Sequence, residues 1–447
     1  MFSKILIANR GEIAVRIIRS CREMGIHTVT VYSTADKHSL HAQISDESVC
    51  IGPPATKDSY LNADAIIEAC KITGADAVHP GFGFLSENAD FAEACEKNGI
   101  TFIGPSPQAI RALGDKSAAK MSMKNAGVPV IPGSDGVLKG IKSAKALAKS
   151  IGYPVMIKAS AGGGGRGIRR VDREEDLEAA MTAASQEALS FFGDDSIYME
   201  KLILNPKHIE FQILADKQGN VVHLGERDCS LQRRNQKVLE ETPSPIMTPV
   251  LRERMGRAAV AAAMTCRYTN AGTIEFLVDK DKNFYFMEMN TRIQVEHPIT
   301  EEVSGVDIVK EQLKIAAGEK LSFTQEDIKL TGHAIECRIN AENPAMNFMP
   351  SPGVIDGLFI PGGPGIRIDT AVYQGYEITP YYDSMIAKLI VHGKDRAEAI
   401  AKMKWALSEF IVDGVYTNID FQLKLIRTEE FERGDYDNGF LNRTKLI

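Results

Sequence analysis

The chain has 447 residues, roughly three times the ~150 residues of a typical domain, which excludes a single core and predicts two or three domains. Apolar residues make up 44% and charged residues 25%, ordinary globular usage that excludes disordered and collagen-like chains. The formal charge of -7 arises from 59 acidic and 52 basic residues without a basic block, which argues against a nucleic-acid partner.

The opening MFSKILIANRGE has no signal-peptide apolar region, and no stretch approaches the ~18 apolar residues of a membrane span, so a cytoplasmic protein is predicted. Seven cysteines without a C-x-x-C pair point to neither a disulfide framework nor zinc.

In chain order, KILIAN reads as a strand, IAVRIIRSCREMG as a helix and HTVTVYS as a second strand, a βαβ unit. LNADAIIEACKITG, ADAVHP, NADFAEACEKNG and ITFIG continue the alternation, predicting a doubly wound parallel sheet over 1–114 and a connecting helix after Gly114. The first turn reads NRGEIA, so the G-x-G-x-x-G dinucleotide fingerprint is absent.

A Pro/Gly-rich segment beyond Pro129 opens a second domain, placed at 115–330, with a helix SAKALAKSIG and a strand YPVMIKAS. HIEFQIL alternates strictly, putting His208, Glu210 and Gln212 on one face. GERDCSLQRRNQKVLEE reads as a mixed-charge loop, salt-bridged at the surface, in which Cys229 is a bystander thiol. TIEFLVDKDKNFYFMEMN reads as a hairpin. From Thr331, short β-like runs and the helix AEAIAKMKWALSEF predict a third, small mixed domain over 331–447.

Three constellations carry chemistry. SAGGGGRG follows a strand bearing Lys158; taken alone it is as readily a flexible loop as a phosphate cover, and Lys158 and Arg166 tilt it toward a mobile lid. In the hairpin, Glu275 opposite Glu288 leaves Lys280 to Asn283 as a four-residue connection, and an extended continuation places Asn290, Arg292, Gln294 and Glu296 on the face of Glu288. Two carboxylates and an amide oxygen in a largely buried sheet suit Mg²⁺ held together with phosphates. HPGFGFLSEN, with Phe82 and Phe84, is either a ligand-binding turn beyond a parallel strand or a plain aromatic turn.

IANRGEIA, HPGFGFLSEN, GDKSAAK, IKASAGGGGRG, ERDCSLQRRNQK, EMNTRIQVEHPITE and ECRINAE occur in this order along nearly the whole chain, and together they resemble biotin carboxylase. The resemblance implies an ATP-grasp fold, with an N-terminal doubly wound domain, a C-terminal mixed β-rich domain, a lid over about 131–204 and a homodimer. It places ATP at Lys116, Lys158, Gly164, Gly165, the hinge Glu200, Lys201, Leu202 and Ile203, and His208, with Gln232 and Asn235 in the same binding set. It assigns Mg²⁺ (or Mn²⁺) to Glu275, Glu288 and Asn290, and bicarbonate to Lys237, Arg292, Gln294 and Val295. Glu296 becomes the base, and Arg338 faces the biotin ureido ring. Some members carry Tyr at Phe82 and His at Asn235.

The implied reaction is ATP-dependent carboxylation of biotin through carboxyphosphate, as the first half-reaction of acetyl-CoA carboxylase in fatty acid synthesis. The carrier motif A-M-K-M is absent, AKMKW having the wrong order, which implies a separate biotin carboxyl carrier protein and separate carboxyltransferase subunits. The alternatives are a component of another acyl-CoA or pyruvate carboxylase, another ATP-grasp carboxylate-amine ligase, or a non-catalytic component; Lys237, Glu296 and Arg338 together favour bicarbonate and a ureido ring.

Overall fold

The computed structural model describes residues 1–160 and 167–446, with the backbone alone at 116 and 117. Strand Lys4–Ile7 (β1) is a run of large aliphatic residues that enters helix Gly11–Glu23 through Gly11 at φ +66°, a conformation glycine adopts without a Cβ clash. His27–Ser33 (β2), Glu47–Gly52 (β3), Ala77–His79 (β4) and Thr101–Phe102 (β5) complete a parallel sheet of order β3-β2-β1-β4-β5. Ile5 and Ile7 pack with Ile13 and Ile17 on one face, while Leu6 packs with Val29, Val31 and Phe91 on the other, so the predicted doubly wound layer is present. The order reverses between β1 and β4, the switch point beyond whose carboxyl ends ligands bind in such sheets, and Asn9, Arg10, Phe82 and Phe84 stand there.

Helix Lys116–Asn125 is the connecting helix expected after Gly114. It leads to a three-stranded antiparallel sheet, Val155–Ala159 (β6), Ile168–Val171 (β7) and Ile197–Lys201 (β8), in the order β7-β6-β8. Helices Ile141–Ile151 and Leu177–Phe192 back it through Ala144, Ala148, Leu177 and Ala184.

The largest sheet joins Lys207–Ala215 (β9), Val221–Arg233 (β10), Gln236–Thr242 (β11), Asn270–Val278 (β12), Phe284–Asn290 (β13), His333–Asn340 (β14), Ile366–Thr370 (β15) and Met385–Gly393 (β16). It is antiparallel throughout, in the order β13-β12-β9-β10-β11-β14-β16-β15. Ile209, Phe211 and Ile213 of β9 pack on Leu251, Met255 and Ala259 of helix Pro249–Thr265; the polar face of β9 turns the other way and is buried too.

Three expectations are corrected. GERDCSLQRRNQKVLEE is a buried hairpin, β10 and β11, turning at Arg234 and Asn235, both at positive φ (+52° and +65°) as a tight two-residue turn requires. The β12–β13 register does pair Glu275 with Glu288, but a one-residue shift beyond that pair sets Val278 opposite Phe284 and makes the connection Asp279–Asn283. The strand ends at Asn290, and Glu296 caps helix His297–Ser304 rather than continuing an extended run. Strands β14 to β16, from the third sequence segment, are hydrogen-bonded into the large sheet.

Candidate active site

Register lines up one side chain from each of four strands: Glu288 of β13 opposes Glu275 of β12, Glu275 opposes Glu210 of β9, and Glu210 opposes Arg227 of β10. Like charges directly opposed across strands destabilise a sheet, so three carboxylates in a row demand cations. Arg227, with no solvent exposure, donates Nε to Glu210 Oε1 at 2.6 Å and its other N–H groups to Gln212, Thr300 and Thr273. The Lys237 ammonium spends its three protons on three carboxylates, Glu210 at 2.5 Å, Glu296 at 2.7 Å and Glu275 at 3.0 Å. His208 Nε2 lies 3.2 Å from Glu275 and 3.5 Å from Glu210.

These neighbours reverse what burial alone would do. Burial works against every charge here, yet Lys237 and Arg227 hold Glu210 well below the carboxylate range, and Lys237 and His208 hold Glu275 down to about 2. Burial disfavours the His208 imidazolium, but Glu275 and Glu210 outweigh it and lift its pKa to about 9. Cys229, buried against Glu210 with Sγ 3.8 Å from Glu296, is pushed well above the ordinary thiol value and is a neutral bystander.

Glu296 is completely buried, with Oε1 accepting from Lys237 and Oε2 from Arg338 Nη2 at 2.9 Å. It therefore lies one layer beneath the cleft wall, while Lys237 and Arg338 form that wall. Arg338 also donates Nε to Glu240 at 2.7 Å; burial lifts the Glu240 carboxyl to about 7, with Arg338 pulling the other way. Arg292 donates to Asn290, Gln294 and Glu87, and Gln294 donates in turn to Glu275 at 3.2 Å. The residues beyond β13 thus converge through hydrogen bonds instead of through strand alternation.

Across the cleft, Lys158 and Lys120 grip the two oxygens of Glu200 at 2.7 and 2.8 Å. The Lys201 ammonium is turned onto the carbonyls of Gly152 and Tyr153, leaving Leu202 and Ile203 at the cleft. Gln232 contacts His208 at 3.1 Å, and Asn235 sits at the exposed hairpin tip. The cleft has a volume of about 1460 Å³ and is lined from both sheets and from the β1–β4 switch point. Gly164, Gly165 and the Lys116 side chain lie outside the described residues.

A cation fits the acidic row. Glu275 and Glu288 are opposed, and Asn290 is held beside them by its Nδ2 on Glu275 at 2.9 Å; the carboxylate oxygens and the Asn290 amide oxygen are hard donors of the kind Mg²⁺ takes. His208, Glu210 and Glu275 form a second cluster with ligand atoms within 4.8 Å, but Arg227 and Lys237 already neutralise Glu210.

Sequence reading missed Lys120, Glu240 and Glu87. Lys120 had a signal in GDKSAAK, one helical turn beyond Lys116. Glu240 had none, because β11 carries an extra residue between Lys237 and Leu239 that breaks period-two parity. Glu87 reaches Arg292 only through tertiary packing, from 205 residues away.

A cleft with Lys158 of the small antiparallel sheet and Lys120 of the connecting helix on one side, and a large sheet bearing an acidic row on the other, defines an ATP-dependent ligase of the ATP-grasp fold. Family models match 1–110 as the biotin carboxylase N-terminal domain, 115–324 as the carbamoyl-phosphate synthase L chain ATP-binding domain, and 336–443 as the biotin carboxylase C-terminal domain. The chain belongs to the biotin carboxylase family. It is 58% identical to biotin carboxylase 1 of Bacillus subtilis, over 99% of this chain and 98% of that protein. It is also 58% identical to a pyruvate carboxylase component of Methanothermobacter thermautotrophicus, over 99% of this chain and 90% of that one. Among solved structures, the dimeric biotin carboxylase domain of Hydrogenobacter thermophilus 2-oxoglutarate carboxylase, in complex with MgADP and bicarbonate, superposes with a TM-score of 0.93 at 52% identity, over 99% of this chain and 97% of that one.

Proposed function

We propose that the chain uses ATP and bicarbonate to carboxylate biotin carried on a separate protein. The observation that carries this is Lys237: one buried ammonium joins the acidic row to Glu296, and Arg338 closes Glu296 from the other side. Bicarbonate is a poor nucleophile, so it needs fixed positive charge to hold it and a base to take its proton. Lys237, Arg292, Gln294 and the Val295 backbone line the cleft where an anion would be held. A bicarbonate that draws Lys237 or Arg338 toward itself frees a Glu296 oxygen to accept its proton.

Attack on the γ-phosphoryl group then gives carboxyphosphate and ADP, with Lys158 and Lys120 offering positive charge to the phosphates. Glu275, Glu288 and Asn290 are the residues that would hold Mg²⁺ or Mn²⁺, which would supply charge neutralisation at the phosphates. Collapse of carboxyphosphate releases CO₂ and phosphate, the phosphate takes the biotin N1 proton while Arg338 steadies the negative charge that develops on the ureido oxygen, and N1 bonds to the CO₂ carbon to give carboxybiotin. Water must be excluded meanwhile, a task suited to a lid over about 131–204 that bears the β6–β8 sheet.

The domain division is 1–114, 115–330 and 331–447, the assembly is a homodimer as the H. thermophilus relative is described to be, and the compartment is the cytoplasm; no helix among the described residues is long and apolar enough to cross a membrane. The acceptor of the whole enzyme is acetyl-CoA, with a biotin carboxyl carrier protein and carboxyltransferase on other chains. A 2-oxo acid is the second reading, favoured by the equal identity to a pyruvate carboxylase component.

The test is ADP release from MgATP by the purified chain, with and without bicarbonate and free biotin. Release that requires bicarbonate and rises with biotin is expected. Release indifferent to both would overturn the reading.

A further inference from the structure

Lys388 of β16 has no solvent exposure and takes no part in the reaction as derived above. A buried ammonium is costly unless paired and hydrogen-bonded, and three elements supply its partners. Its Nζ donates to the Val295 carbonyl at 2.9 Å, lies 3.1 Å from Glu12 Oε1 of helix Gly11–Glu23, and stands 3.7 Å from Asp369 of β15. Asp369 is in turn held by both ends of the Arg367 guanidinium, which reaches Glu301 on the helix that Glu296 caps; Arg16 grips Glu301 from the other side at 2.9 Å. Arg338 is the direct cross-strand neighbour of Lys388.

The Gln294–Glu296 segment has no strand or helix of its own to fix it. Its Val295 carbonyl is anchored by Lys388 on one side, while its Gln294 and Glu296 side chains engage the acidic row and Lys237 on the other. We propose that Lys388 is a positioning residue for bicarbonate activation: by tying Val295 to Glu12 and Asp369 it holds the Val295 backbone and the Glu296 carboxylate at the depth where Lys237 and Arg338 meet them. The proposal rests on the bicarbonate reading of this site and names a residue that reading does not use.

The test compares Lys388→Met with the double variant Lys388→Met/Glu12→Gln in the full chain, alongside wild type. Removing the ammonium alone leaves Glu12 buried without its cation, so a lower melting temperature is expected for the single variant and partial recovery for the double. In both, kcat of bicarbonate-dependent ADP release falls at least tenfold and KM for bicarbonate rises, while KM for MgATP stays within twofold of wild type. Recovery of kcat and bicarbonate KM together with stability in the double variant would show that charge balance alone mattered and would overturn the proposal, as would wild-type kinetics in a folded single variant. If the single variant does not fold, the double variant carries the same kinetic comparison. Absence of bicarbonate dependence in wild type would instead fault the underlying reading.

Discussion

The two sheets that face each other across the cleft treat charge in opposite ways. On one side, Lys158 of β6 and Lys120 of helix Lys116–Asn125 share the single carboxylate of Glu200 on β8, leaving a positive excess. On β9, β12 and β13, Glu210, Glu275 and Glu288 oppose one another in register and draw on Arg227, Lys237 and His208. A surface with lysines to spare facing a row of carboxylates is what a metal-phosphate ligand needs, since its phosphates serve the first and its metal the second. The floor is also the better fixed of the two. Arg227 and Lys237 each make several charge-assisted bonds at zero or low exposure, so its geometry is preorganised.

Five substitutions or conditions break or sharpen this contrast. Glu296→Gln keeps the side-chain shape but removes the base and leaves one oxygen where Lys237 and Arg338 now find two; steady-state ADP release is expected to fall about 10²–10⁴-fold, with nucleotide binding by calorimetry preserved. Lys237→Met strips the floor of the cation shared by Glu210, Glu275 and Glu296, which should cost about 3–5 kcal/mol in a denaturant titration, the range for an abandoned buried charge. Glu288→Gln should shift the Mg²⁺ dependence of nucleotide binding to higher concentrations, whereas Glu296→Gln should not; coincident curves would remove Glu288 from the metal site.

Lys158→Met tests the opposite sheet. One charge-assisted contact to phosphate is worth about 1.5–3 kcal/mol, so KM for MgATP should rise by roughly ten- to a hundredfold with the bicarbonate KM little changed. The smallest effect is in pH. The folded pKa of His208, about 9, lies above its unfolded value of about 6.5. Its contribution to stability is therefore fully present below pH ~6.5 and fades as the pH rises through about 9. Chemical denaturation in EDTA should show stability falling across that window, and His208→Gln should flatten the fall.

Much of the fold was legible because local pattern and tertiary outcome agree. The Asn62 cap, the apolar spacing of Ala63–Thr73 and Gly74 at φ +68° form one consistent helix signal, and the alternation of β9 needed only to find its two neighbours. The hairpin β10–β11 misled for a physical reason. Strand residues such as Glu226, Arg227 and Glu240 look solvent-facing in a linear reading, yet their counter-charges come from helix Pro249–Thr265, β9 and β14.

By itself the sequence determined the alternating elements of the N-terminal layer, the pairing of Glu275 with Glu288, and the motifs that mark the family, because each depends on spacing within a few tens of residues. Only the tertiary structure decided that Lys237 joins three carboxylates, that Glu296 lies beneath Lys237 and Arg338, and that Glu87 and Lys388 reach the site from opposite ends of the chain. Buried charges are stable only in company, and sheet register and domain packing choose that company.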